Sequence, residues 1–273
     1  MGRRVVMVTM AAVVAATTMT GCRAPQPQPA EPDCVFTVDD NRVELDAEQT
    51  ANAATVAAVG LRQGIPEQGV VVALATAWQE SGLRNIDYGD RDSLGLFQQR
   101  PSQGWGDEEQ IMDPRYAAEQ FYLHLERVDN WQDMRVTDAA QAVQRSAFPE
   151  EYQQWAPAAE VMARVFGGTV GAALRCTGTD AADLTGSPDE LSTALLNDWG
   201  EWTELHIADG ALLVPTNDDA DGWRYAHWLV AHARTQAVAA VTFAEHTWTP
   251  DTGQWRPDDT PDDPDVVTVR LTA

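Results

Sequence analysis

The 273-residue chain has little positive charge. It contains 18 lysine and arginine residues against 42 aspartate and glutamate residues, a formal net charge of −24. A surface of this sign disfavours nucleic acid and anionic membrane surfaces as partners, because both are polyanions. We therefore exclude nucleic acid. The acidity identifies no substrate, because a strongly charged surface also keeps a protein soluble.

Cysteine is scarce too, and no apolar run is long. The cysteines are Cys22, Cys34 and Cys176, none with a CxxC partner, so the sequence predicts no cysteine-based metal site and no cofactor. The apolar residues 5–20 are few for a spanning helix. They follow two arginines and precede small residues, the order of an export signal.

The end of that apolar run suggests lipidation. Met19-Thr20-Gly21-Cys22 resembles a bacterial lipobox, although leucine is usual at the position of Met19. The resemblance implies a signal peptide over residues 1–22 and a lipid on Cys22 that holds the protein to the membrane. The location would be the outer face of the bacterial membrane or the cell wall. An ordinary signal peptide with an incidental cysteine is the alternative.

Export also bears on the other two cysteines. Outside the cytoplasm, Cys34 and Cys176 are expected to form a disulfide, because that environment is oxidising. Residues 23–33 contain four prolines and predict a tether before Cys34.

Length and periodicity predict two domains of the α+β class. The first, residues 34–177, is expected to be mainly helical, and the second, residues 191–273, a small mixed α/β domain. A Thr-, Asp- and Gly-rich linker over 178–190 separates them. Predicted helices cover 47–62, 68–80, 114–128, 137–146, 149–166 and 223–236, and predicted strands cover 35–38, 203–207, 211–214, 238–243 and 266–271.

The first domain contains an unusually long irregular segment after residue 80, and such segments are usually functional. Glu80-Ser81 ends a helix, and Gly95-Leu96-Phe97-Gln98 follows within the segment. This stretch resembles the active-site region of soluble lytic transglycosylases and goose-type lysozymes. Those enzymes carry Glu-Ser at a helix end and a Gly-Leu-Met/Phe-Gln turn on the opposite wall of a glycan cleft.

The resemblance implies a lysozyme-like fold and peptidoglycan as substrate, with Glu80 as the general acid that cleaves the MurNAc–GlcNAc strand. A carboxylic acid can do this near neutral pH only if an apolar setting raises its pKa. Ala75, Ala77 and Trp78 precede Glu80 and favour partial burial. The alternative is an ordinary solvated glutamate at a helix end.

The same resemblance assigns contacts with the sugars to Gln98 and Ser81. Its third element, Ala-Tyr-Asn, is replaced here by Ala142-Val143-Gln144, so that Gln144 would hold the acetamido group. Trp105, Tyr116 and Phe121 are candidate stacking surfaces, with a role in the core as the alternative.

A second carboxylate would distinguish a hydrolase from a transglycosylase. A hydrolase needs one to activate water or to attack, whereas lytic transglycosylases use a single glutamate and the acetamido group of the substrate. Asp87, Asp90 and Asp92 are the candidates. Aspartates in loops usually hydrogen-bond their own backbone, so a structural role is the alternative.

The second domain resembles the C-terminal half of domains related to zinc D,D-carboxypeptidases. The resemblance rests on Trp228–Ala233, Val241–Phe243, Thr247-Trp248, Trp255–Pro257 and the strand after Asp265. Val266 and Thr268 stand where that family has histidines. His206 matches an upstream histidine, but Leu213 or Val214 falls at the expected aspartate. One imidazole cannot hold catalytic zinc.

We therefore expect a second domain without a metal. A rearranged site using His227, His232 or His246 is disfavoured, because helical residues five apart do not share a face. The competing hypothesis for the whole chain is a non-enzymatic envelope lipoprotein that keeps both folds and binds cell wall or a partner protein.

Overall fold

The computed structural model describes residues 33–177, 185–200, 205–258 and 263–272. The predicted signal peptide, Cys22, residues 23–32 of the tether, residues 178–184 of the linker and residues 203–204 of a strand lie outside them. The described residues contain eight α-helices and two antiparallel sheets, a mixed content compatible with the predicted α+β class. The order of domains stays a prediction.

The elements follow the chain in this order. The helices are α1 (Ala47–Arg62), α2 (Glu67–Ser81), α3 (Glu108–Ile111), α4 (Pro114–Leu125), α5 (Val136–Gln144), α6 (Ala156–Phe166), α7 (Pro188–Trp199) and α8 (Asp219–Ala231). The strands are β1 (Cys34–Val38), β2 (Asn41–Leu45), β3 (Leu174–Cys176), β4 (His206–Ala208), β5 (Ala211–Pro215), β6 (Val238–Phe243), β7 (His246–Trp248), β8 (Trp255–Pro257) and β9 (Val266–Leu271). None of the described helices is both long enough and apolar enough to cross a membrane.

A three-stranded sheet joins the two ends of the first half of the chain. Its order is β2-β1-β3, and Cys34 lies directly opposite Cys176. The structure contains the predicted disulfide between these two residues, which are both buried and 142 positions apart in sequence. The strands β2 and β3 were not predicted, because both are short and take their stability from pairing with β1.

Helices α1 and α2 form the centre of the helical part. Asp46 caps α1 in a capping box with Gln49, which satisfies backbone N–H groups at both positions. Gly60 lets α1 approach α4 closely, because a Cβ there would lie 2.6 Å from the ring of Tyr122. The Tyr122 hydroxyl donates to the Val56 carbonyl at 2.9 Å, so this buried ring has its polar group satisfied.

Two sequence predictions about α5 and α6 are wrong in detail. Thr137 does not cap α5, since its hydroxyl donates to the Pro149 carbonyl and fixes the following segment to the helix. No single helix starts at Pro149. Residues Pro149–Trp155 form a 3-10 helix, and α6 begins only at Ala156. Pro157 explains the break, because it has no N–H to donate to residue 153.

The second half is a six-stranded antiparallel sheet with α8 packed on one face. The strand order is β4-β5-β9-β6-β7-β8, with Leu212, Val241 and Val267 buried on the face toward α8. Helix α7 begins at Pro188, inside the segment predicted as a linker, and Ser187 caps it by accepting from the Glu190 N–H.

A buried polar network joins the two halves, which pack as one compact unit. Asp198 on α7 is fully buried and accepts hydrogen bonds from the Thr55 hydroxyl and the Trp228 indole N–H, both at 2.8 Å. Arg115 on α4 forms an ion pair with its other oxygen. Four helices therefore meet at one carboxylate. Removing a single partner would leave a buried charge poorly compensated, which is strongly destabilising.

His227 on α8 makes a second connection between the halves. Its Nδ1 lies 2.9 Å from the Val165 carbonyl, and its Nε2 accepts from the Ala173 N–H at 3.2 Å. These partners require the neutral ring with the proton on Nδ1. Burial lowers the pKa of His227 to about 4 from 6.5.

We expect acid to destabilise the protein through His227. Between about pH 6.5 and pH 4 the unfolded chain binds a proton that the folded chain does not, so lowering the pH favours unfolding. The loss in the free energy of unfolding from this residue is about 3 kcal/mol. Urea unfolding at a series of pH values would measure it. A slope in His227→Gln as steep as in wild type would contradict the assignment.

Candidate functional site

Glu80 lies in the last turn of α2, half-buried, and is held by two other segments. The Tyr152 hydroxyl donates to Glu80 Oε1 at 2.6 Å, and the side-chain amide of Gln144 lies close enough to lower the pKa of the carboxyl. Burial raises the pKa of Glu80, and the Tyr152 hydroxyl and the Gln144 amide oppose the rise because both favour the charged form. The group therefore combines a raised pKa with donors that stabilise its anion.

The Gly95-Leu96-Phe97-Gln98 turn lies directly against the end of α2. Leu94 and Gln99 close it through two backbone hydrogen bonds, and Gly95 has a φ of 74°. A Cβ on Gly95 would lie 2.7 Å from the Ile111 carbonyl, so the position requires glycine. The side chains of Leu96 and Phe97 are fully buried. Burial of these side chains helps fix the turn against α2.

Ser81 connects α2 to this turn. Its hydroxyl lies 2.8 Å from the Leu96 carbonyl and 3.1 Å from the Ala77 carbonyl, and it accepts from the Arg84 N–H. A hydroxyl has one proton, and both acceptors of that proton lie within the protein. The structure thus gives Ser81 a positioning contact, and its contact with a sugar stays a prediction.

Gln144, the last residue of α5, completes the arrangement. Its Nε2 donates to the Phe97 carbonyl at 2.7 Å, and the same amide lies close enough to Glu80 to influence its pKa. The three sequence elements predicted to belong together therefore lie beside one another. Gln144 holds the turn, and its predicted contact with an acetamido group is not tested by this geometry.

Gln98 lies on the loop side of the turn. Its backbone is in the left-handed region with a φ of 48°, which is uncommon for a residue other than glycine. Its side-chain amide makes long hydrogen bonds to the carbonyls of Tyr88 and Gly95, at 3.3 and 3.2 Å. Strained backbone of this kind clusters at functional sites. The half-buried amide is weakly held and available to a ligand.

Tyr152 and Ser146 are the residues that the sequence did not reveal. Tyr152 has the spacing of a core residue and is fully buried, but its hydroxyl reaches Glu80. The Ser146 side chain lies close enough to this tyrosine to lower its pKa, and it accepts from the Phe148 N–H at 3.1 Å. Periodicity predicts where a ring is buried, and gives no sign of which group its hydroxyl contacts.

Each candidate second carboxylate is either hydrogen-bonded within the loop or exposed to solvent. Asp92 accepts from Arg100 Nε at 2.7 Å and from the Ser102 N–H at 2.8 Å, and these hydrogen bonds lower its pKa. It therefore holds the loop together. The Asp90 side chain is 91 % exposed, with Arg91 at 3.8 Å. Asp87 is exposed as well.

The predicted stacking residues lie on the α3–α4 side of the segment. Trp105 is half-buried with its ring 4.2 Å from that of His124, and the ring of Tyr116 packs beneath Gly106. Phe121 is fully buried and stacks on Phe97 at 4.8 Å, which makes it a core residue. Within the described chain, no hydrogen bond or ring contact joins Trp105 or Tyr116 to Glu80.

The histidines of the second half lie apart from one another. His227 and His232 are buried with their Nδ1 atoms on backbone carbonyls, whereas His206 is exposed on β4. Among the described residues, no group of three or more His, Cys, Asp or Glu side chains is arranged to hold a metal ion. A metal-free second domain stays a prediction, and zinc analysis of protein purified without chelator would test it.

A surface pocket of about 340 Å³ lies away from Glu80, between α4 and α7. Its lining residues are Arg115, Asp189, Glu190, Thr193, Ala194 and Asn197. None of these residues belongs to the Glu80 arrangement. The pocket is shallow, and its two carboxylates, Asp189 and Glu190, are exposed.

No protein-family model matches the chain, and no curated protein matches it.

Proposed function

We propose that the protein cleaves the MurNAc–GlcNAc glycan strand of peptidoglycan, with Glu80 as general acid, while a lipid on Cys22 holds it at the outer face of the membrane. The observation that carries this proposal is the setting of Glu80. Its pKa is raised by burial, the Tyr152 hydroxyl donates to the carboxylate, and the Gln144 amide lies beside it while it holds the Gly95–Gln98 turn. A glutamate at the surface is solvated by water and does not need such contacts from the protein.

The arrangement fits cleavage by a single acid. Protonated Glu80 would give its proton to the glycosidic oxygen as the bond to C1 of the MurNAc residue breaks. Tyr152 and Gln144 stabilise the carboxylate that forms, because both favour its charged state. The same carboxylate can then take the proton of the MurNAc 6-hydroxyl as that oxygen attacks C1. The products are a shortened strand and a 1,6-anhydro end, and no water is consumed.

The contacts and the exposure of the loop aspartates favour transglycosylation over hydrolysis. Hydrolysis needs a second carboxylate beside the reacting carbon. Asp92 is already bonded to Arg100 and Ser102, and Asp90 points into solvent. We therefore propose transglycosylation as the reaction.

Digestion of purified peptidoglycan tests the proposal. We expect wild-type protein to reduce turbidity and release muropeptides that carry anhydro ends, as measured by mass spectrometry. Reducing ends would show hydrolysis instead. No release under any condition, with retained sedimentation on peptidoglycan, would replace the enzyme by a cell-wall-binding module.

The Tyr152→Phe variant should shift the pH dependence of cleavage. The change removes a donor to charged Glu80, so the pKa of Glu80 rises further. A general acid works while protonated, and the fall of kcat/KM at high pH should therefore move to higher pH. We also expect a lower maximal rate, since the forming carboxylate loses a donor. The control is Tyr225→Phe in the second half. An unchanged pH profile in Tyr152→Phe would contradict this role.

A further inference from the structure

Two aromatic side chains on the segments that follow α2 and α5 are exposed to solvent. Tyr88 is 69 % exposed and Phe148 is 70 % exposed, more than the other large exposed hydrophobic residues of the described chain, Leu123 and Ile207, at 41 % and 54 %. Within that part of the chain, neither ring packs against another aromatic ring. Covering such rings is favourable, because aromatic residues supply much of the binding energy at interfaces.

Phe148 is connected to Glu80 through two side chains. Its N–H donates to the Ser146 hydroxyl, Ser146 lies close enough to Tyr152 to lower its pKa, and Tyr152 donates to Glu80. Pro149 follows, with its carbonyl bonded to Thr137. The backbone that carries Phe148 is thus fixed on both sides, so that binding a ligand costs little ordering of this segment.

Tyr88 is connected to the same site from the other segment. Its carbonyl accepts from Gln98, whose neighbour Phe97 accepts from Gln144. Gly89 lets the loop lie against the Gln98 side chain, because a Cβ there would be 1.9 Å from Gln98 Oε1. The two exposed rings therefore lie on two segments of the site. Tyr88 contacts the turn that Gln144 holds, and Phe148 lies on the segment that Tyr152 connects to Glu80.

The charge around these rings limits the ligand. Arginines offset part of the acidic charge, since Arg91 lies 3.8 Å from Asp90 and Arg135 pairs with Glu150 at 3.3 Å, while Asp87 and Glu151 are exposed. An uncharged pyranose ring is repelled by neither sign of charge. A sugar ring also has an apolar C–H face that can pack on an aromatic ring while its hydroxyls stay in water.

We propose that Tyr88 and Phe148 bind the pyranose rings of an N-acetylated glycan on either segment of the Glu80 site. This inference rests on the proposed function, because it places the substrate of that reaction. It concerns binding alone, however, and so can be measured without turnover.

Binding is measured in a Glu80→Gln background, with an N-acetylglucosamine hexamer by calorimetry and with insoluble peptidoglycan by sedimentation. We expect Tyr88→Ala and Phe148→Ala each to weaken binding at least about fivefold, the effect of losing an aromatic anchor. Tyr88→Phe and Phe148→Tyr should retain it. Leu123→Ala and Ile207→Ala are matched controls at exposed apolar positions and should bind as the parent does. Melting temperatures confirm that every variant is folded.

The outcomes separate the two proposals. Weakened binding in both alanine variants supports the inference even if wild-type protein releases no muropeptides. Cleavage by wild type together with unchanged binding in both variants would overturn the inference and leave the proposed function intact. A parent that binds neither probe, or a change of oligomeric state in the alanine variants without loss of glycan binding, would also overturn it.

Discussion

The Glu80→Gln variant is expected to lose muropeptide release from purified peptidoglycan by about 10²–10⁴-fold, the usual contribution of a positioned general acid. Glutamine keeps the size of the side chain and an acceptor for the Tyr152 hydroxyl, but it has no acidic proton. Glu151→Gln is the matched control, since Glu151 is exposed and lies one residue from Tyr152. It should keep full activity. Equal activity in wild type and Glu80→Gln would remove Glu80 from the mechanism.

The same variant has a second expected property that distinguishes lost chemistry from lost folding. The folded state holds the Glu80 proton more tightly than the unfolded state, so wild type loses stability as pH rises from about 4.5 through the raised pKa. Glutamine has no such loss. We expect Glu80→Gln to melt with or above wild type at neutral pH and to match it in acid. A variant that is less stable at neutral pH would show that the carboxylate serves the fold.

Removing the disulfide with Cys34→Ser and Cys176→Ser should cost about 4–5 kcal/mol in the free energy of unfolding, from the loop-closure model for so long a loop. The bond joins residues 142 apart, and its loss frees the unfolded chain. For a protein of this size, that corresponds to a fall of about 10–20 °C in the melting temperature. Thermal unfolding of the oxidised protein and the double variant measures it.

Reduction of wild-type protein should reproduce the effect, and reduction of the double variant should change nothing further. Two free thiols in the unreduced, denatured exported protein would refute the pairing. A melting temperature that is the same in wild type and double variant would show that β1 and β3 hold together without the bond.

The fold was predictable where the signals were local. Helix α1 matches its prediction, and α2 differs by one residue at each end, because both have regular apolar spacing, Asp46 caps the start of α1 and Gly82 ends α2. The strands β2 and β3 were missed because a strand of three to five residues gains its stability from its partners. The 3-10 helix before α6 depends on Pro157, whose effect lies four residues upstream.

The candidate site was predictable in part. Glu80, Gln98 and Gln144 came from motifs that also lie together in the fold, where the Gln144 amide donates to the Phe97 carbonyl of the turn. The contact of Tyr152 with Glu80 was not predictable, because it joins segments 72 residues apart in the chain, and neither was the exposure of Phe148. The Tyr152 ring is buried and the Phe148 ring is exposed, and only three-dimensional packing determines that difference.

The contacts of Asp198 explain why the second half would be retained in evolution even if no metal binds there. A region that has lost its own chemistry can be deleted during evolution only when nothing else depends on it. Thr55 on α1 and Arg115 on α4 both direct polar groups at this carboxylate. Deletion would leave those groups without their partner at a newly opened surface of the helices that pack with α2. The second half would then be retained as structural support for the half that carries Glu80.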